Sequence, residues 1–412
     1  MYNDRLQKLQ ALMIQKRLLA LFVTSPQNVT YLSGFRGLCS TDVLVPCLTD
    51  LEVVLFITPR ATYYLTDKRH GKNNGNTHER KMIRSPACQR LSFQEPQNIM
   101  IQRYVPRTLH RMARHMAGRD QNALRYVVVE KNVFDTVQSL CKKLGIQKLG
   151  IEYEALRVSD FQLLQQKLKD ITFCEASSLV HELRCTKNKE EIAALTKACR
   201  VTDAAFTALL RAIRIGMTEG AIAYFLVDFF HRNADGPAFA PIVASGVGAA
   251  IPHYRTSKTK KIRNGEMLLL DFGTLYHGYH ADISRTLFLG EATPRFKKIY
   301  TIVLEAQRKT IDALHAGMSG KAADAIARQH LTTAGFKKEF AHGTGHGVGL
   351  QIHEAPQLSP LSNDTLHEHH VFTVEPGLYF PKWGGVRIED TILLTKQGPR
   401  MLTRSSKKLI EI

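Results

Sequence analysis

Between residues 267 and 289 two apolar runs flank a short polar turn, and each run carries one aspartate, Asp271 and Asp282. The pattern predicts a β-hairpin turning around Tyr276-His277-Gly278. A turn centred between 276 and 277 sets the two aspartates directly opposite one another, and a turn shifted by one residue makes them diagonal neighbours. Either register brings their β-carbons within roughly 8 Å. Two carboxylates held that close inside an apolar sheet repel unless a proton or a cation neutralises them. An isolated strand aspartate commonly faces solvent, but Asp271 follows Leu268-Leu269-Leu270, where burial without a partner is costly. A cation is the simpler solution.

The segment 341–354, Ala-His-Gly-Thr-Gly-His-Gly-Val-Gly-Leu-Gln-Ile-His-Glu, adds His342, His346 and His353. Its glycines at 343, 345, 347 and 349 disfavour a helix and predict a backbone folded tightly around something. Any one histidine is more often a structural hydrogen bonder, but three woven with four glycines point to a site. Glu375 then closes Val371-Phe-Thr-Val-Glu, where Pro376 holds it extended and stops the strand. Glu389 sits in the strand-like run 385–394, whose alternation puts Arg387 and Glu389 on one face. Alone, each glutamate would be an ordinary solvated strand-end carboxylate. Together, Asp271, Asp282, His346, Glu375 and Glu389 make a hard, oxygen-rich set with one imidazole. Such a set suits manganese, cobalt, iron or zinc and differs from thiolate-rich structural zinc sites. With carboxylate bridges it can hold two ions about 3.5–4 Å apart, as two-metal hydrolases do.

Length and composition fit this reading. A chain of 412 residues is long for one core, so two domains are expected. Hydrophobic residues at 44% and charged residues at 23% are the balance of a globular protein. No apolar run is long enough to cross a bilayer, and the N-terminus reads as an amphipathic helix rather than a signal peptide. The seven cysteines form no Cys-x-x-Cys pair and all precede residue 200, which fits a reducing cytoplasm and excludes a thiolate site further along. Of the net charge of +19, ten charges come from residues 68–131, with 14 Lys and Arg against 4 Asp and Glu. Arg107, Arg111 and Arg114 would line one side of a helix there. No nucleic-acid motif or aromatic platform accompanies them, so a solvated basic face is expected and nucleic acid is not an expected partner.

Residues 1–175 alternate helix-like and strand-like pieces and predict an α/β domain that does not carry the chemistry, with 68–131 as a basic divergent stretch and 71–78 as a polar loop. The boundary falls near 176–188. Residues 183–412 form the second domain, α+β in character. It opens with helices over about 189–215 and 218–232; strands and glycine-rich turns follow from 240, with helices near 294–315 and 319–334.

At these residues the sequence resembles the pita-bread metallopeptidases, and within them the Xaa-Pro aminopeptidase and Xaa-Pro dipeptidase (prolidase) branch. Gly216-Met-Thr-Glu219, Val243-Ala-Ser-Gly246 and Pro252-His253 are further landmarks. More faintly, 24–35 and 64–69 resemble the creatinase/prolidase N-terminal domain. The resemblance implies that Asp271, Asp282, His346, Glu375 and Glu389 hold two divalent ions, manganese first and cobalt, zinc or iron as alternatives. It implies that His253 and His353 contact substrate and stabilise the tetrahedral intermediate, with Glu375 as proton shuttle. His342, Tyr379 and Arg387 match supporting positions. The implied enzyme is a cytoplasmic homodimer that cuts a peptide or dipeptide with proline second. A methionine aminopeptidase-like hydrolase keeps the ligand set but usually lacks a large leader domain. A creatinase-like hydrolase does not rely on the metal set, and a non-catalytic pita-bread binding protein typically loses it.

Overall fold

A computed structural model describes residues 2–34, 53–67, 123–129 and 132–412 of the chain. The polar loop 71–78, the run Arg107, Arg111 and Arg114, and most of the basic stretch 68–131 lie outside the described residues. The chain divides into two compact units, Met1–Leu183 and Arg184–Ile412.

In the first unit, α1 (Tyr2–Gln15) precedes β1 (Ala20–Val23) and α2 (Pro26–Ser33). Strands β2 (Val53–Thr58), β3 (Ala61–Asp67) and β4 (Ala123–Val129) follow, then α3 (Val133–Leu144), β5 (Lys148–Ile151), α4 (Val158–Lys167), β6 (Thr172–Glu175) and α5 (Ser177–Cys185). The strands form a mixed sheet in the order β4-β3-β2-β1-β5-β6, with β1 parallel to β5 and antiparallel to β2. Phe22, Phe56, Tyr63, Val137, Leu149, Ile151 and Leu164 fill its core. This is the α/β layer the alternating pattern predicts.

The second unit opens with α6 (Lys189–Ala212) and α7 (Glu219–Asn233). A reciprocal capping box between Asn188 and Glu191 starts α6, satisfying two backbone donors that a helix end otherwise leaves open. Strands β7 (Gly236–Pro237), β8 (Ile242–Ser245), β9 (Met267–Phe272), β10 (Thr274–Tyr276), β11 (Tyr279–His280) and β12 (Ile283–Phe288) come next. Then follow α8 (Pro294–Ala313) and α9 (Gly320–Thr333). The chain continues through β13 (Gly345–Gly347), β14 (Glu354–Leu358), β15 (Val371–Val374), β16 (Gly377–Phe380), β17 (Gly384–Arg387), β18 (Asp390–Thr395) and β19 (Gly398–Met401). The described sheets of this unit run β12-β9-β8, β11-β10-β7, β14-β13-β15-β18-β19 and β16-β17.

The hairpin of the sequence reading is present, its turn one residue later than 276/277. Tyr276 pairs with Tyr279, so His277 and Gly278 make a two-residue turn, both at positive φ (53° and 78°). Ser284 therefore stands opposite Asp271, and the two aspartates are diagonal neighbours. Leu268, Leu270 and Phe272 point the other way, into a core where Phe272 stacks with Phe206 and Phe230. Burying each such side chain stabilises the fold by roughly 1.5–3 kcal/mol. That core-facing row commits Asp271 to the opposite face, because side chains alternate along a strand.

A second difference concerns residues 385–394. They do not form one strand: β17 pairs with β16, and after Ile388-Glu389 the chain continues as β18 beside β15. Arg387 and Glu389 end up together through this change of sheet rather than through simple alternation.

Gly273 sits where the hairpin passes from one sheet to the next, and a β-carbon there would lie 1.7 Å from the Ala281 carbonyl oxygen. Gly273→Ala is expected to destabilise the second unit by about 1–3 kcal/mol. Trp383 is the only tryptophan, so its fluorescence in a urea titration reports this unit. An unchanged midpoint would show that the hairpin backbone relaxes around the methyl group.

Candidate metal centre and active site

The five ligand-type side chains come from separate strand segments and converge. Asp271 lies near the end of β9, Asp282 just before β12, His346 in β13, Glu375 just after β15 and Glu389 just before β18. One oxygen each of Asp282 and Glu389 and one nitrogen of His346 lie within 4.8 Å of one another. His346 Nε2 is 3.7 Å from Asp282 Oδ2 and 3.3 Å from Glu375 Oε1. Gly345 explains the close approach: a β-carbon there would meet the Thr373 carbonyl oxygen of β15 at 1.9 Å.

Arg387 organises the acidic side. Its guanidinium donates to Asp271 Oδ2 at 2.7 Å, to Ser284 Oγ at 2.8 Å and to Tyr379 Oη at 2.9 Å. Ser284 Oγ in turn donates to Glu389 Oε2 at 2.7 Å. His342 Nδ1 faces the Gly343 carbonyl at 2.7 Å and must donate to it, so Nε2 accepts from the Tyr379 hydroxyl at 2.8 Å. Burial pushes His342 down to about 4 and Tyr379 up to about 12, which keeps both neutral near pH 7.

The same tautomer argument applies to His346. Nδ1 donates to the Gly347 carbonyl at 3.1 Å, leaving a bare Nε2 lone pair facing the carboxylates. Burial, with His353 adding to it, pushes this histidine down to about 3, so it is neutral. Around it, burial pushes Glu375 up to about 8. Burial and then the charge of Glu389 raise Asp282 well above the carboxylate range, and burial and then Glu375 do the same to Glu389. Asp271 is raised by burial despite Arg387. Asp271 Oδ1 and Asp282 Oδ1 are buried with no hydrogen-bond donor. A bare imidazole nitrogen beside acceptor-only oxygens lacking donors is the donor set a divalent cation satisfies.

His253 and His353 are exposed at the edge of this cluster. The His353 ring meets that of His346 edge to face at 4.3 Å, and the carbonyl before His253, that of Pro252, accepts from Arg387 at 3.4 Å.

Comparison with known proteins agrees with this geometry. Residues 193–396 match Metallopeptidase family M24, and residues 5–186 match the Creatinase/Prolidase N-terminal domain. A Xaa-Pro dipeptidase of Pyrococcus horikoshii is 38% identical over 309 residues, covering 74% of this chain and 85% of the relative. The chain belongs to metallopeptidase family M24. Among solved M24 structures, the Xaa-Pro dipeptidase from Bacillus anthracis superposes with a TM-score of 0.82 at 32% identity, covering 100% of both chains. The prolidase from Pyrococcus horikoshii superposes with a TM-score of 0.78 at 30% identity, over 99% of this chain and 100% of that one. The pita-bread fold of this M24 branch is thus present.

Several supporting residues escaped the sequence reading. Ser284 links Glu389 to Arg387; only its position two residues after Asp282 on the same strand could have signalled it. Thr373 Oγ1 accepts from the His346 backbone at 3.1 Å. On α9, Asp324 accepts from Thr344 N and Oγ1, while Arg328 pairs with Asp324 and donates to the Phe340 and His342 carbonyls. Nothing in residue type marked the α9 pair.

The shifts predict how the metal-free chain responds to pH. Glu375, held at about 8 against an ordinary 4.5, contributes stability that is lost as pH rises through about 8. His346, held at about 3 against 6.5, contributes stability that is complete above 6.5 and lost only toward about 3. Above 6.5 only the carboxylates change, so the melting temperature of chelator-stripped protein should fall between pH 6.5 and 8. Resupplied divalent metal should remove that fall. A flat profile in stripped protein would contradict the buried-carboxylate description.

Proposed function

We propose that this chain is a metal-dependent Xaa-Pro peptidase that hydrolyses the bond between an N-terminal residue and a following proline. The observation that carries this is the convergence of Asp271, Asp282, His346, Glu375 and Glu389, with a bare imidazole nitrogen and two carboxylate oxygens left without donors. Those five side chains would hold two divalent cations, manganese first, with cobalt, zinc or iron as alternatives. When bound, the cations supply a water of lowered pKa and polarise the scissile carbonyl.

The remaining steps belong to the protein's own groups. Glu375 takes a proton from the attacking water and passes it to the leaving proline nitrogen, as a carboxylate that faces the cluster can do in both directions. His253 and His353, at the exposed edge, donate to the carbonyl oxygen as it becomes tetrahedral. Arg387 favours the ionised form of Asp271 and orients it, and Tyr379 with His342 fixes Arg387 in turn. Proline preference rests on the relatives named Xaa-Pro dipeptidase, a homodimeric assembly on the family resemblance of the sequence, and a cytoplasmic location on the cysteine pattern. Among the described residues, Cys141, Cys174, Cys185 and Cys199 are free thiols, and no described helix is long and apolar enough to cross a membrane.

The decisive test uses protein stripped with chelator and resupplied with manganese, cobalt or zinc. Xaa-Pro dipeptides, a longer Xaa-Pro-led peptide and a Met-Ala-led peptide are compared. Metal-dependent release of the residue before proline is the expected outcome, and cleavage only after methionine would move the assignment to the methionine aminopeptidases. Glu375→Gln should lower kcat about 10²–10⁴-fold with the fold intact. Asp282→Asn should lose bound metal and activity together. Normal turnover by either variant would remove these residues from the mechanism.

A further inference from the structure

Glu219, the first residue of α7, is completely buried, accepts hydrogen bonds from three residues and pairs with the ammonium of a fourth. Its Oε1 accepts from Ser245 N at 2.9 Å and Ser245 Oγ at 2.7 Å, with the Lys260 ammonium at 3.1 Å. Its Oε2 accepts from the Tyr254 hydroxyl and from Ser257 N, both at 3.1 Å. Its own backbone N–H donates to the Lys260 carbonyl at 2.9 Å. Lys260 closes the arrangement by donating to the Ser245 carbonyl while its ammonium lies 5.6 Å from the Tyr254 ring centroid.

These donors bracket one histidine. Ser245 ends β8; Tyr254, Ser257 and Lys260 follow His253 in the stretch that returns to β9. Between β8 and β9 there is a short 3-10 turn at Gly246–Ala250 and no strand, so no ladder fixes the backbone around His253. The histidine is itself exposed, yet near enough to Asp271 and His353 for the charges to interact. An exposed side chain on a segment without regular structure keeps a fixed place only through the contacts of its neighbours.

We infer that Glu219 is a positioning residue of the His253 segment, acting beside the Arg387 bond to the Pro252 carbonyl and setting where this histidine meets the substrate carbonyl. The inference rests on the reading of His253 as a substrate-contacting group. The carboxylate is suited to the task because it is acceptor-only on both oxygens and can take all four hydrogen bonds while pairing with the Lys260 ammonium. Glutamine would keep the shape but turn one acceptor into a donor facing other donors. Aspartate is one methylene shorter and cannot reach both ends of the segment.

A double-mutant cycle separates positioning from general support of the fold. Glu219→Gln is compared with the unchanged chain and again in a His253→Ala background, reading kcat, KM and bound manganese. Glu219→Gln is expected to lower kcat about tenfold at unchanged metal content, and to cost less than about twofold once His253 is gone. Tyr254→Phe, which removes one donor with little change of volume, should show a smaller loss with the same coupling. It carries the test should Glu219→Gln fail to fold. Amide hydrogen exchange of the manganese-loaded protein should rise in residues 246–258 and stay unchanged in 267–272. Equal losses in both backgrounds, or faster exchange spread across β9 and β12, would overturn the assignment. A parent chain inactive on every Xaa-Pro peptide would sink the activity reading alone. The exchange measurement would then decide whether Glu219 anchors the segment.

Discussion

Mutual repulsion among buried carboxylates is the constraint on which the second unit depends. Asp271, Asp282, Glu375 and Glu389 share one region, and Arg387 is the cation beside them, bonded to Asp271. Removing an ionised carboxylate from water costs several kcal/mol even after the protein relaxes, and one guanidinium cannot compensate four. The chain accepts this cost because its strands are fixed by other interactions. Apolar rows such as Leu268, Leu270 and Phe272 commit the aspartates to the far face of their sheet. The repulsion is therefore a property the scaffold imposes, and cation binding is how it is relieved.

Behind this cluster lies a second set of buried charges with a different task. Arg285 donates to the Ser284 and Glu389 carbonyls, and it pairs with Asp390 at 2.8 Å. Asp390 also accepts from Lys407 and Gln307, each at 2.9 Å. Arg285 further holds the Ser405 and Ser406 carbonyls. Such pairs contribute little net stability over a hydrophobic alternative, so their value lies in fixing backbone position. Here the fixed positions are those next to Ser284 and Glu389. Glu354, held by Arg184 at 2.6 Å and Lys187 at 2.8 Å, stands in the same relation to the adjacent His353. That buried cation pair keeps Glu354 down at about 2 against the opposing effect of burial.

Much of this site could be read from residue order. Asp271 and Asp282 announced themselves because carboxylates interrupted apolar runs at hairpin spacing, and that signal holds in either register of the turn, the diagonal one being present. The glycines around His346 were legible because only glycine allows β13 so close to β15. Two things were not legible. The change of sheet between β17 and β18 depends on which strand each half pairs with, a long-range choice that local alternation does not encode. Hydroxyl and carboxylate supports such as Ser284, Thr373 and Asp324 look like any buried polar residue until their partners are known. Strands β1 and β2 of the first unit were legible as short apolar runs because they are buried on both faces. The alternation of the first unit did not reveal its sheet order, in which β1 and β5 are neighbours despite their separation along the chain.

The five clustered side chains are also spread along the chain in a way that bears on biosynthesis. Asp271 and Asp282 are made early in the second unit, but Glu389 comes more than a hundred residues after Asp282. β12 is still incomplete at that point, because Phe288 exchanges backbone hydrogen bonds with Ile410 and Ile412 near the other end of the unit. A nascent chain emerging from the ribosome therefore presents isolated carboxylates with no geometry to select a cation. The five side chains can meet only once the chain has been made past β18 and residues 410–412 have closed on β12.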